Sequence, residues 1–453
     1  MDFKKIVENH KEEIIITFQE LLQIPSELDQ ATITKETPFG KSINDALEYM
    51  INLAKKDGFE TLNDDGYAGL ISYKGNEQKE SIGILCHLDV VPAGNNWTYP
   101  PYEARIVDNK IYARGTTDDK GPTIAAYYAL KFIKEANIKL KKEIQILLGT
   151  DEETGWRGIA HYAMNHQMPE VGFAPDCSFP LVYGEKGRMS FDLSNNYDDE
   201  LVEYIRGGER YNVVLDKVVA KLTKDLSKEF NEYLNKYNLK GRIENDIYTL
   251  EGKASHAMEP EKGINAGIHM CNFLKDYSKN PMIQYIAKYY YEDCHFEKMG
   301  ISYNDYEMGP ITVNIGIMNI EKNNTRVTLD SRFPVRYDFD KFNECFYKLL
   351  EEYEIKVTNK THKNPHYVNP NDDLVKLLHQ AYVQNTNDHI NKPFTVGGGT
   401  YASVLKKGVA YGMLFPGEEE LAHQRDEYLN IDSLLKGILI YIDAILLLGE
   451  IDA

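Results

Sequence analysis

Nothing in this sequence is apolar for long enough to cross a bilayer as a helix, which takes about 20 consecutive residues of that kind. The opening Met1-Asp2-Phe3-Lys4-Lys5 runs straight into an amphipathic pattern and lacks the apolar core of a signal peptide. Cysteine is scarce, and the five residues, at 86, 177, 271, 294 and 345, are scattered without C-x-x-C spacing. A disulfide framework or cysteine-based zinc site is therefore not expected, and a reducing cytoplasm is the default compartment. Positive charge is the other shortage. Lys and Arg number 51 against 70 Asp and Glu, a formal net charge of -19. That balance argues against a nucleic-acid or anionic-membrane partner, although a local cationic pocket remains compatible with it.

What is present is ordinary globular composition, 42% hydrophobic and 27% charged. At 453 residues the chain exceeds what one core normally serves, so two domains are expected. Phe3, Ile6, Val7, Ile14, Phe18 and Leu21 recur at helical spacing as one helix stopped by Pro25, and Ile43 to Ala54 form another. Apolar runs at Ile82–Cys86, Ile144–Leu148 and Val171–Ala174 are of the buried-strand kind, alternating with helical patterns at Gly121–Lys134 and Ile159–Met164. Such alternation predicts an α/β domain with a mostly parallel sheet flanked by helices.

Between about Ser190 and His366 the texture changes to α+β. Strand-like Val213–Val219, Ile247–Leu250, Ile311–Ile320, Arg326–Phe333 and Ile355–Thr358 are interspersed with helices near 226–237, 264–277 and 342–353. Two successive units of similar size fit this stretch. The boundaries expected are one domain over 1–189 and 368–453, with an inserted α+β domain over 190–367. The last segment closes with an apolar helix from Leu434 to Leu448.

Four acidic or histidine clusters fall at element ends. His87-Leu88-Asp89 ends the Ile82 run, with both side chains on one side of an extended backbone. Asp118-Asp119-Lys120-Gly121-Pro122 opens a helix, where a plain acidic N-cap is the competing explanation. Asp151-Glu152-Glu153-Thr154-Gly155 follows the Ile144 strand, and at least one glutamate is expected to point into a crevice rather than to solvent. Pro175-Asp176 closes the Val171 strand. In open α/β sheets, ligands bind beyond the carboxyl ends of the strands, and three of the clusters are there. Mixed histidine and carboxylate donors suit zinc first, with manganese or cobalt less selectively served. Crowded carboxylates repel unless neutralised, which favours two cations over one.

His87-x-Asp89-Val-Val-Pro, Gly115-x-x-Asp118-Asp119-Lys-Gly-Pro and Glu152-Glu153-x-Gly155 together resemble the cocatalytic metallopeptidase superfamily. That superfamily contains succinyl-diaminopimelate desuccinylase, acetylornithine deacetylase, aminoacylases and carnosinase-type dipeptidases. Asp89-Val-Val-Pro-Ala-Gly with Trp97, Tyr127-Tyr128 and Val396-Gly-Gly-Gly-Thr400-Tyr401 look most like its PepV-type bacterial dipeptidase branch. The resemblance runs from the first helix past His423.

It implies that His87, Asp118 and Asp176 hold one metal, and that Asp118 bridges to a second held by Glu153 and His423. Glu152 is then the general base and Asp89 the partner that orients His87. A water bridged by the two metals would lose its proton to Glu152 and attack the scissile carbonyl. The resemblance makes 1–189 and 368–453 the catalytic domain and 190–367 its lid, on which His256 would steady the oxyanion, while Asn212 and Arg332 hold the substrate, Arg332 through its carboxylate. Gly397-Gly398-Gly399 lacks the Lys-Ser/Thr ending of a phosphate loop, so Gly398 and Gly399 are expected to form a wall where backbone approaches substrate. Cys86 stands where many relatives carry a smaller residue, and a thiol there is expected to be oxidation-sensitive. The function implied is a metal-dependent dipeptidase for peptides with a free N-terminus, expected as a monomer with a homodimer as the alternative. An N-acyl-amino-acid deacylase or carboxypeptidase is the alternative, and a catalytically silent binding protein a more distant one.

Overall fold

The computed structural model describes residues 1–76, 80–322 and 324–450. The chain divides into two compact units. One comprises Met1–Tyr183, Val368–Phe394 and Thr400–Ala453, the other Gly184–Tyr367 with Thr395–Gly399. The run Gly397–Gly399, which lies in the expected segment 368–453, thus groups with the second unit.

The sheet of the first unit places its strands in the order Glu60–Asp64, Ala68–Tyr73, Glu143–Gly149, Ser81–His87, Val171–Ala174 and Lys407–Ala410. The last four pair in parallel, and the first two form an antiparallel hairpin against them. Ser81–His87 sits inside this sheet and its residues from Ile82 onward are all buried, which is why it reads as a continuous apolar run. Each fully buried Leu or Ile side chain there contributes about 1.5–3 kcal/mol. Helix Lys120–Glu135 packs on Ser81–His87, and the apolar helix Ile431–Gly449 packs on Lys120–Glu135 in turn. The single helix expected from Phe3 to Leu21 is two, Phe3–Asn9 and Lys11–Leu22, divided at His10.

The second unit is built on one antiparallel sheet of eight strands. Their order is Lys240–Glu244, Ile247–Glu251, Lys217–Leu222, Val202–Gly207, Thr312–Glu321, Arg326–Phe333, Gly187–Ser194 and Lys356–Lys363. Helices Ser227–Tyr237, Ala266–Leu274 and Phe339–Glu352 supply Phe230, Phe273, Phe342 and Phe346 to its core. The strand expected at Val213–Val219 begins only at Lys217. Val213 forms an isolated bridge with His256 instead, so two candidate lid residues, Asn212 and His256, flank or belong to that bridge.

Among the described residues no helix is long and apolar enough to cross a membrane.

Candidate metal centre

Five candidate ligands come from five separate places in the first unit. His87 is the last residue of its strand, and Asp118 lies just ahead of the helix at Lys120. Glu153 follows the strand Glu143–Gly149, and Asp176 follows Val171–Ala174. His423 lies in a loop with left-handed backbone, φ 65°. The structure brings them together. His87 Nε2 is 2.9 Å from Asp118 Oδ1 and 3.7 Å from Asp176 Oδ2. His423 Nε2 is 2.9 Å from Asp118 Oδ2 and 3.1 Å from Glu153 Oε1. The two oxygens of Asp118 therefore face different histidines. Glu152 joins the same cluster, because His87, Glu152 and Asp176 offer donor atoms within 4.8 Å of one another, as do His87, Asp118 and Glu153.

The electrostatics of this cluster are those of a site that demands positive charge. Burial opposes charging His87, yet the carboxylates of Asp118, Asp89 and Asp176 hold it well above the usual imidazole range. His423 keeps half of its side chain accessible. Against its own desolvation, Asp118 and Glu153 raise it to about 11. Burial and the charge of Asp118 push Asp176 well above the carboxylate range. Burial, with Glu153, Asp118 and Asp89 adding and His87 opposing, pushes Glu152 up to about 8. Divalent cations meet the same demand and displace the histidine protons. His87 Nε2 is buried and, despite its closeness to Asp118, has no hydrogen-bond partner in line with it. An inward-facing ring nitrogen among acceptors fits a ligand atom, and the donor set fits two cations.

The surrounding shell keeps Asp89 beside His87 and gives it a further task. His87 Nδ1 lies 3.0 Å from the Asp89 backbone carbonyl and 3.6 Å from its carboxylate. The Asp89 carboxylate is also engaged by the Glu152 and Glu153 backbone N–H groups, each at 3.0 Å. Asp89 thus positions the glutamates, and its carbonyl orients the ring. Asp119, not Asp118, occupies the cap of the Lys120 helix, and its side chain makes no capping bond. It accepts the His87 backbone N–H at 3.0 Å. Cys86 is fully buried, and burial followed by the charge of Asp119 lifts its thiol well above the ordinary range. A protonated, inaccessible thiol is inert, so the expected oxidation sensitivity does not hold.

Four residues were given no role at the site from the sequence. Arg114, 2% exposed, donates to Glu427, 0% exposed, at 2.7 Å. Glu427 also accepts the Thr117 N–H at 2.8 Å and so clamps the loop carrying Asp118. A Cβ on Gly121 would sit 2.1 Å from the Thr116 carbonyl, so only glycine lets the helix start this close to that loop. Tyr401 packs its ring edge-on to His87, with a buried hydroxyl that has no hydrogen-bond partner among the described residues. No local pattern marks a pair 313 positions apart. Glu427→Ala is expected to cost about 3–5 kcal/mol, because it strands a buried guanidinium. Urea denaturation measures this, and a loss below 1 kcal/mol would contradict the clamp.

The remaining candidates lie in the second unit. The Ala257 N–H donates to the Asn212 carbonyl at 2.9 Å, and His256 Nδ1 accepts the Met258 N–H at 3.2 Å. Arg332, 6% exposed, gives Nε to Asp330 at 2.8 Å and Nη1 to the Gly397 carbonyl at 3.2 Å. Asp330 also accepts Arg188 Nε at 2.6 Å, so one carboxylate is shared by two guanidinium groups and a positive charge is left over. A Cβ on Gly398 would meet nothing within 4 Å, whereas one on Gly399 would lie 3.1 Å from Lys363 Nζ.

Known proteins resemble this chain along nearly its whole length. A model described as peptidase family M20/M25/M40 matches residues 83–447. A Staphylococcus haemolyticus protein provisionally named a dipeptidase is 37% identical over 465 residues, covering 98% of both chains. The structure of human carnosine dipeptidase 1 aligns with a TM-score of 0.60 at 13% identity, over 99% of this chain and 98% of that one. A Bacillus subtilis protein described as a dinuclear metal-binding peptidase of the M20 family aligns with a TM-score of 0.51 at 10% identity, over 98% and 99%.

Proposed function

Because the chain belongs to peptidase family M20/M25/M40, and is thus a hydrolase of the peptidase class, we propose that it is a metal-dependent dipeptidase for peptides with a free N-terminus. The observation that carries this reading is the placement of both Asp118 oxygens against separate histidines, His87 and His423, with Asp176 and Glu153 on the outer sides. His87, Asp118 and Asp176 would hold one cation, and Asp118, Glu153 and His423 the other. Zinc suits this donor set, with manganese or cobalt the alternatives. When bound, two such cations lower the pKa of a water towards neutrality and polarise the scissile carbonyl.

The chain's own groups do the rest. Glu152 carries a carboxylate raised towards neutral pH, which suits it to take a proton from water and return it to the leaving amine. Asp89 fixes Glu152 through the backbone, so the base does not drift. On the second unit, the charge left over from Arg188, Arg332 and Asp330 supports recognition of the substrate's terminal carboxylate, with Asn212, Gly398 and Gly399 completing substrate contacts. His256 is assigned to the developing oxyanion.

A three-part substrate panel tests the reading. Free dipeptides should be cleaved fastest, and N-acetyl amino acids should be poor substrates; preference for the acetylated set would replace the proposal with a deacylase. Dipeptides amidated at the C-terminus should lose about 1.5–3 kcal/mol, or roughly ten- to hundredfold in kcat/KM, if Arg332 pairs with the carboxylate. Failure of the purified chain to retain any divalent metal at neutral pH would favour a silent binding protein.

A further inference from the structure

The chemistry above leaves unused a second cluster of metal-type donors, located in the second unit. Glu261, Cys294 and His295 each offer one donor atom, and these atoms lie within 4.8 Å of one another. Glu261 sits in the short 3-10 turn Pro260–Lys262, and Cys294 and His295 lie in the loop after helix Pro281–Tyr289. Sequence spacing did not show this set, since its members are 33 positions apart and only one is a cysteine.

The loop is held in place by more than its own turn. Asp293 accepts the His295 N–H at 2.8 Å through one oxygen and the Lys298 N–H at 2.7 Å through the other. The Val313 N–H donates to the Cys294 carbonyl at 2.8 Å. Most telling is His295 Nδ1, which lies 2.7 Å from the Ile311 carbonyl. Only a protonated Nδ1 makes that bond, so the neutral ring presents its lone pair on Nε2. A carbonyl fixing the tautomer in this way is the usual support of a metal-binding histidine. A bound cation would displace the Cys294 thiol proton.

We propose that Glu261, Cys294 and His295 form a third divalent-cation site, selective for zinc-like ions over magnesium or calcium. One thiolate, one imidazole and one carboxylate make a borderline-soft set, and three protein ligands leave one position for water. The site is tied to the edge of the strand Thr312–Glu321. Thr312, between the two anchors Ile311 and Val313, pairs with Arg332, and its hydroxyl lies 3.4 Å from the carbonyl of Ala257, next to His256. Occupancy would thus bear on the backbone beside two residues assigned to substrate. The existence of the site does not rest on the dipeptidase reading.

Cobalt(II) titration of the metal-free full-length chain tests it, because a thiolate ligand gives a charge-transfer band in the near ultraviolet. The ligand set proposed for the first unit contains no sulfur, so the band reports this cluster. The unsubstituted chain is expected to develop the band and Cys294→Ser to lose it. Cys177→Ser, next to the candidate ligand Asp176, is the control expected to keep it. Glu261→Gln alters an exposed side chain and spares the fold, and should weaken cobalt binding at least about tenfold, which even outer-shell losses achieve. Absence of the band in the unsubstituted chain, its survival in Cys294→Ser, its loss in Cys177→Ser, or unchanged affinity in Glu261→Gln would each overturn the site.

Discussion

Asp118→Asn is expected to remove metal and turnover together. The side chain keeps its size, so the fold should survive, yet the shared anion between His87 and His423 is gone. Burial opposes the charge on Asp118, but the two adjacent imidazoles, His423 and His87, hold its carboxyl well below the ordinary range, so it is an anion at any working pH. An amide there offers one weak oxygen and turns a donor group towards one of the histidines. Cation content by elemental analysis after dialysis should fall by about two per chain, the cluster of Glu261, Cys294 and His295 being untouched. Loss of cation assistance is worth several kcal/mol, and about 4 kcal/mol corresponds to a thousandfold drop in kcat/KM. A variant with full metal content and unimpaired kcat/KM would show that Asp118 is not the bridging ligand.

How much of this was legible beforehand depended on where each residue lies in the chain. His87, Glu152, Glu153 and Asp176 follow apolar runs that can only be buried strands, so their position at one end of a parallel sheet follows from topology. Asp118 was legible as a helix-start residue, but the sequence could not say that Asp119 would take the cap and hold the His87 backbone. His423 stands in a polar loop with no periodicity, and only the resemblance to a family picked it out. The Arg114–Glu427 clamp and the Tyr401 ring against His87 depend on tertiary contacts between distant segments and leave no local signature. Among the elements, the Glu60–Asp64 strand is too polar to announce itself, and it pairs only with Ala68–Tyr73 at the sheet edge. Val213 read as strand because it is β-branched and apolar, but it forms an isolated bridge rather than a ladder. Glu261, Cys294 and His295 went unread for the same reason as the clamp.

The complementary experiment separates proton transfer from metal binding. Glu152→Gln should keep both cations while kcat falls by about 10²–10⁴, the range for loss of a general base. Glu152 belongs to the same donor cluster as His87 and Asp176, so geometry alone does not distinguish a base from a ligand. Its environment does. Neither histidine makes an ion pair with it, whereas Asp118, Asp176 and Glu153 each have one with His87 or His423. Burial and three nearby carboxylates set its proton affinity close to neutral pH, the condition under which a base both accepts and releases a proton readily. Bound cations would lower that affinity again and favour the ionised form. The glutamine variant keeps the Asp89 contacts, because those are made by the backbone N–H groups of Glu152 and Glu153. Loss of metal in Glu152→Gln would make Glu152 a ligand, and full turnover would remove it from the chemistry altogether. Retained metal with lost turnover, set against the joint loss in Asp118→Asn, is the pair of results that assigns one acid to binding and the other to proton transfer.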